Sequence, residues 1–203
     1  MVLTKTQPTK NSKNSKIGVR KAPASEGTPD FIRIDGIHQG DLDSIKVLYD
    51  INAVDCVTQW QVVASVQSIS EAHLLSVIKQ MLAEFPFEIL GFYADNGSEY
   101  VNHKVARMLD KLRIEFTRSR PRHSNDNGLA ETKNGAVVRK IFGYEHIPRR
   151  HAARLDTFCR EYLNPFLNFH RPCLFATELA DPKKPGRTSR PSASAALTWW
   201  LSA

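Results

Sequence analysis

Three acids stand where carboxylates can do chemistry: Asp35, Asp95 and Glu131. Asp35 lies inside FIRIDGIHQ (31–39), a run with the β-branched and aromatic content of a strand. A charge there is costly unless something compensates it. Asp95 closes an apolar stretch in Ala94-Asp95-Asn96-Gly97, and open sheets place ligand sites at such strand ends. Glu131 falls in the first turn of a helix that follows Asn127-Gly128. Three carboxylates brought together repel one another unless cations neutralise them, and hard oxygen donors suit Mg²⁺ or Mn²⁺. Two such ions about 3.5–4 Å apart can activate an attacking oxygen and stabilise a leaving one during in-line phosphoryl displacement. The same residues have plainer readings. Asp41, Asp43 or Asp55 can supply the first acid, Asn96-Gly97 is also a common turn pair, and Glu131 also suits its helix dipole.

The elements around these acids follow from hydrophobic period. Strands are expected over 31–39, over 44–52 (Ile45, Val47, Tyr49 and Ile51 on one face) and over 60–66, as an antiparallel meander. Ser70 then caps a helix that Pro86 ends, residues 88–94 form a fourth strand, and Asn102 caps a second helix. Residues 114–117 form a fifth strand, 118–128 a polar loop, and helices follow over about 129–142 and 152–169, the last kinked at Pro165. The expectation is an α/β, three-layer fold, a mixed five-stranded sheet flanked by helices. The Phe158, Tyr162, Phe166, Phe169 stripe reads as core. Residues 1–29 read as a disordered basic arm or linker, 30–176 as the folded core and 177–203 as an irregular tail.

A hydrophobic share of 41% is ample for a buried core, and no run approaches the length of a membrane-spanning helix. The N-terminus lacks an apolar signal core, so a cytoplasmic location is expected. Cys56, Cys159 and Cys173 are isolated, which argues against a disulfide framework or a zinc ribbon. Charge is unevenly placed: residues 31–117 carry net −5 and residues 118–154 net +6. Acids that hold cations, flanked by Arg and Lys that grip phosphates, would produce this pattern, and so would a solvated basic face.

A more specific signal lies in the spacing. Thirty-five residues separate Asp95 from Glu131. With IDGIH (34–38), NAVDCVTQW (52–60), YADNGSEYVN (93–102), TRSRPRHSNDNGLAETKNG (117–135) and NPFLNFHRP (164–172), the chain resembles the Asp-Asp-35-Glu catalytic core of retroviral integrases and bacterial insertion-sequence transposases. The resemblance covers about residues 31–175. It implies a ribonuclease H-like fold and DNA strand cleavage and strand transfer. It implies two bound Mg²⁺ or Mn²⁺ ions on Asp35, Asp95 and Glu131. It implies DNA as partner, in an assembly of at least two chains. Supporting positions would be His38, Asn96, Gly97, Asn127, Gly128 and Asn134. Lys133, Arg139 and Lys140, with Arg118, Arg120, Arg122 and His123 in the bordering loop, would touch phosphates. No helix-turn-helix or zinc-binding segment is legible, so the chain also reads as a fragment or truncated copy. Two alternatives therefore stand: a non-catalytic product that binds DNA or a partner, and a ribonuclease H-type nuclease.

Overall fold

A computed structural model describes residues 17–22, 29–38, 42–96 and 100–172. Six strands form one sheet in the order β1-β6-β5-β2-β3-β4. They are β1 (Val19–Arg20), β2 (Phe31–His38), β3 (Tyr49–Asp55), β4 (Gln61–Val66), β5 (Gly91–Ala94) and β6 (Glu115–Arg118). The expected meander is present as β2-β3-β4, and β5, β6 and β1 extend the sheet in parallel on the other side of β2. The sheet is mixed, as expected, with six strands in place of five. The extra strand comes from the stretch read as an arm, where Val19 and Arg20 pair with Thr117 and Arg118. Two residues carry no period, so nothing in the sequence marks them.

One boundary moves. The strand expected over 44–52 begins at Tyr49. Asp43 and Ser44 take positive φ angles, 48° and 66°, which turn the chain and forbid a continuous strand. Both helix caps hold: Ser70 accepts from the His73 N–H, and Asn102 accepts from Lys104 and Val105.

On one face of the sheet, α1 (Glu71–Leu82) and α2 (His103–Lys111) pack Leu74, Ile78, Val105 and Leu109 against Ile32, Ile34, Ile51, Ala53 and Phe92. On the other, α3 (Gly128–Lys133), a wide π turn (Asn134–Val138), α4 (Arg139–Phe142) and α5 (Ala152–Phe158) cover Ile37 and Val63 with Val137, Val138, Cys159 and Leu163. Helical backbone continues past α5 through Pro165 to His170, with π turns at Cys159–Leu163 and Phe166–His170.

The aromatic stripe expected in the core lies outside it. Phe158, Tyr162, Phe166 and Phe169 are between 39% and 64% exposed. The inward face carries polar residues because of what it meets. β4 is a sheet edge, and its outward backbone groups need partners. Asn168 accepts from the Gln61 N–H and donates to the Gln61 carbonyl, both at 2.8 Å. Asn164 does the same at Val63, at 2.9 and 3.2 Å. Asp156 accepts from the Ser65 N–H at 3.2 Å. Positions four apart drift round a regular helix by about 40° per step. The wider π turns bring them back toward one line. Replacing Asn168 with Leu removes both bonds to Gln61 and is expected to lower unfolding stability in urea by about 2 kcal/mol. An unchanged midpoint would count against the capping role.

Candidate active site

β2 and β5 run parallel, and their last paired residues are Ile34 and Ala94. Asp35, still within β2, and Asp95, just past the end of β5, each come next, so the two acids lie side by side, with the strands about 4.8 Å apart. Ile32 and Ile34 pack into the α1–α2 core, and strand alternation turns Asp35 to the opposite face, with Ile37, toward α3. Asp35 and Asp95 are both half-buried. A Cβ on Gly36 would lie 2.8 Å from the Tyr100 hydroxyl, so any side chain after Asp35 forces that buried ring to shift.

Side-chain amides seat α3 over this pair. Asn127, just before α3, donates to the Ile34 carbonyl at 3.3 Å. Asn52 of β3 donates to the Ala130 carbonyl at 3.4 Å. Asn134 donates to Asp35 Oδ2 at 2.7 Å, and the Gly36 N–H donates to Asp35 Oδ1 at 2.9 Å. Glu131 is exposed in the first turn of α3. It lies three residues before Asn134, a spacing that puts two side chains on one helix face about 5–6 Å apart. The fold thus sets Asp35 and Asp95 on neighbouring strands and seats the helix that carries Glu131 against β2 and β3. Among the described residues, no three His, Cys, Asp or Glu side chains are already gathered as a metal ion requires. Asp35 turns instead to its amide donors. The donor set itself, all carboxylate oxygen with Glu131 open to solvent, is of the kind that Mg²⁺ or Mn²⁺ takes.

The basic residues divide by environment. Arg122 and His123 are exposed in the turn after β6, and Lys140 is exposed on α4. Arg139 lies 4.9 Å over the Tyr144 ring. Lys133 and Arg118 are buried. Arg118 sits beside Arg20, and burial, then that like charge, lowers its pKa. Arg120 closes a fork on Asp126, Nε to Oδ2 at 3.0 Å and Nη2 to Oδ1 at 2.8 Å, while its backbone N–H donates to Oδ2. Those hydrogen bonds hold the Asp126 carboxyl well below the usual range. This pair fixes the loop that leads into α3. His38 is exposed and stacks on Tyr49, ring centres 4.4 Å apart. Asn96 donates to the Ser119 carbonyl at 3.3 Å. Gly128 opens α3 with open space beside its α-carbon. Gly97 lies outside the described residues.

Asn52, Gln61 and Asp126 are polar, buried and tied to the site, and spacing did not single them out. The signal available was chemical. A polar side chain inside an apolar strand, such as Asn52 in YDINAVD, needs a partner.

Residues 29–124 match the integrase core domain family. The match takes in Asp35 and Asp95 and ends before Glu131. The protein named "Uncharacterized protein y4rM" from Sinorhizobium fredii is 29% identical over 143 residues, covering 68% of this chain and 41% of that protein. The chain therefore spans about two-fifths of that relative's length. A chain in the cryo-EM structure of the simian T-cell lymphotropic virus intasome, in complex with PP2A regulatory subunit B56 gamma, superposes with a TM-score of 0.53 at 18% identity. That superposition covers 92% of this chain and 74% of the other. The likeness is one of fold, and the mixed sheet with helices on both faces is ribonuclease H-like. Among the described residues, no helix is long and apolar enough to cross a membrane.

Proposed function

We propose that this chain is the catalytic core of a transposase or integrase that cuts DNA to expose a 3′-hydroxyl and joins that hydroxyl to a target strand. One observation carries the reading. The Ile34–Ala94 register sets Asp35 and Asp95 together, and Asn134, one helical turn from Glu131, is bonded to Asp35. Asp35, Asp95 and Glu131 would hold two Mg²⁺ or Mn²⁺ ions. When bound, such ions supply Lewis-acid activation of an attacking oxygen and neutralise charge on the phosphate. The chain's own groups orient the reactants. Asn134 and the Gly36 N–H fix the Asp35 carboxylate, and Asn127 anchors α3 beside it. Arg122, His123 and Lys140, exposed at the rim, would bind DNA phosphates without reading sequence, with Arg139 beside them. Arg118, Arg120 and Lys133 act through the loop and helix that they hold. Joining two DNA ends implies at least two chains, and a cytoplasmic setting fits this work.

The test is strand transfer on oligonucleotide ends with Mn²⁺. Joined products that vanish on chelation are expected. A second reading is favoured by the family match ending before Glu131: a product that binds DNA or a longer partner without cutting. Salt-sensitive DNA binding with no metal-dependent product would establish it in place of the first. Cleavage confined to RNA–DNA hybrids would instead mark a ribonuclease H-type nuclease.

A further inference from the structure

A line of buried side-chain amides leads from the sheet edge to Asp35. Gln61 Nε2 donates to Asn52 Oδ1 at 2.9 Å. Asn52 Nδ2 donates to Asn134 Oδ1 at 2.7 Å. Asn134 Nδ2 donates to Asp35 Oδ2 at 2.7 Å. Gln61, Asn52 and Asn134 are 2%, 0% and 7% exposed, so water does not substitute for these bonds. Gln61 is itself anchored, since Asn168 clamps its backbone N–H and carbonyl.

The direction of the line is fixed by chemistry. An amide has one accepting and one donating end. A carboxylate only accepts, so Asn134 must turn its NH₂ to Asp35 and its oxygen away. That oxygen needs a donor, and Asn52 supplies it. The Asn52 oxygen then needs a donor, and Gln61 supplies it. Each amide dipole therefore points the same way and polarises the next. Reversing one would reverse them all and bring the Asn134 oxygen against the Asp35 carboxylate.

We propose that Gln61 and Asn52 are positioning residues for Asp35, acting through Asn134 to hold the carboxylate in one orientation. The proposal rests on the catalytic reading of Asp35 given above. It predicts an unusual ranking. Gln61→Met removes the donor at nearly constant shape, leaving the line loose. Gln61→Glu keeps the shape better yet puts an acceptor where a donor is needed, which inverts the line. Loss of an outer partner of a metal ligand costs about 10–100-fold in activity. Turnover in strand transfer should fall about tenfold in Gln61→Met and nearer 100-fold in Gln61→Glu, with KM for DNA unchanged in both.

A second readout needs neither metal nor DNA. In ¹⁵N-labelled full-length protein, the Asn134 side-chain NH₂ protons should be protected from solvent exchange in the wild type. They should lose that protection at least about tenfold in both variants while the backbone spectrum stays folded. Asn52→Leu, which removes the middle of the line, should do the same. Wild-type turnover and wild-type Asn134 protection in a folded Gln61→Glu variant would overturn the proposal. If the wild type joins no DNA, the catalytic reading fails, and the Asn134 signals still decide whether the amide line exists. If a Gln61 variant does not fold, Asn52→Leu carries the same two readouts.

Discussion

Asp35→Asn is expected to lower strand-transfer turnover by at least about 10³-fold while leaving the protein folded. The substitution keeps side-chain volume and an oxygen for the Gly36 N–H. It removes the negative charge and one of the two oxygens. One bond is then in conflict, because the Asn134 NH₂ that donated to Oδ2 at 2.7 Å would meet either a second NH₂ or a shared oxygen. A metal-held reaction loses several kcal/mol of transition-state stabilisation when an anionic ligand goes, and about 1.36 kcal/mol is a decade in rate. Asp95→Asn, on the neighbouring strand, should behave alike. Asp110→Asn is the control, since that acid is exposed on α2. Near-wild-type turnover in a folded Asp35→Asn protein would remove this residue from the chemistry.

Asp50→Asn is expected to stabilise the fold at neutral pH by up to about 3 kcal/mol. Asp50 is 1% exposed in β3, directly across from Ser65, whose hydroxyl donates to it at 2.6 Å. Burial pushes its pKa from 3.8 up to about 6, and the Ser65 bond offsets part of that rise. The neighbouring groups give little relief. The Cys159 thiol, 3.9 Å from the Ser65 hydroxyl, is pushed up to about 12 by burial, and Asp156 caps the Ser65 N–H. The folded-state pKa is raised, so the folded protein binds more protons than the unfolded chain between about pH 4 and pH 6. Stability from this group is therefore greatest in acid and falls as pH rises through about 6. A shift of about two units is worth about 3 kcal/mol. Urea unfolding should show the variant ahead of wild type at pH 7.5 and level with it at pH 4. A gap of the same size at both pH values would mean that the carboxyl charge is not its cause.

Much of this was legible in the sequence, and the exceptions share a cause. β-branched and aromatic content marked β2 and β4, whereas the clean alternation over 44–52 ran ahead of the start of β3 at Tyr49. Ser70 and Asn102 marked helix starts because their oxygens satisfy backbone N–H groups that the helix cannot. Asp35 in mid-strand and Asp95 at a strand end marked the candidate site. Register was not legible, since hydrophobic pattern gives the buried face of a strand and not its partner. The Ile34–Ala94 pairing that aligns the two acids therefore had to be seen. The long C-terminal helix departs from its pattern for a physical reason. Its aromatic spacing points to an inward aromatic face, but the helix lies along the β4 edge, where unpaired peptide groups reward Asn and Asp over Phe. The same logic hid Asn52 and Gln61, whose value lies in which end of each amide faces the next group, a property of three-dimensional order alone. The resemblance implies a phosphate contact at Arg120, and the structure closes its guanidinium on Asp126.

The most direct measurement is an anomalous difference map from crystals of this chain soaked in MnCl₂. The account predicts manganese density bounded by the carboxylates of Asp35, Asp95 and Glu131, with Asp35 turned toward the ion. Manganese bound elsewhere, with Glu131 directed away from Asp35 and Asp95 at saturating metal, would contradict it.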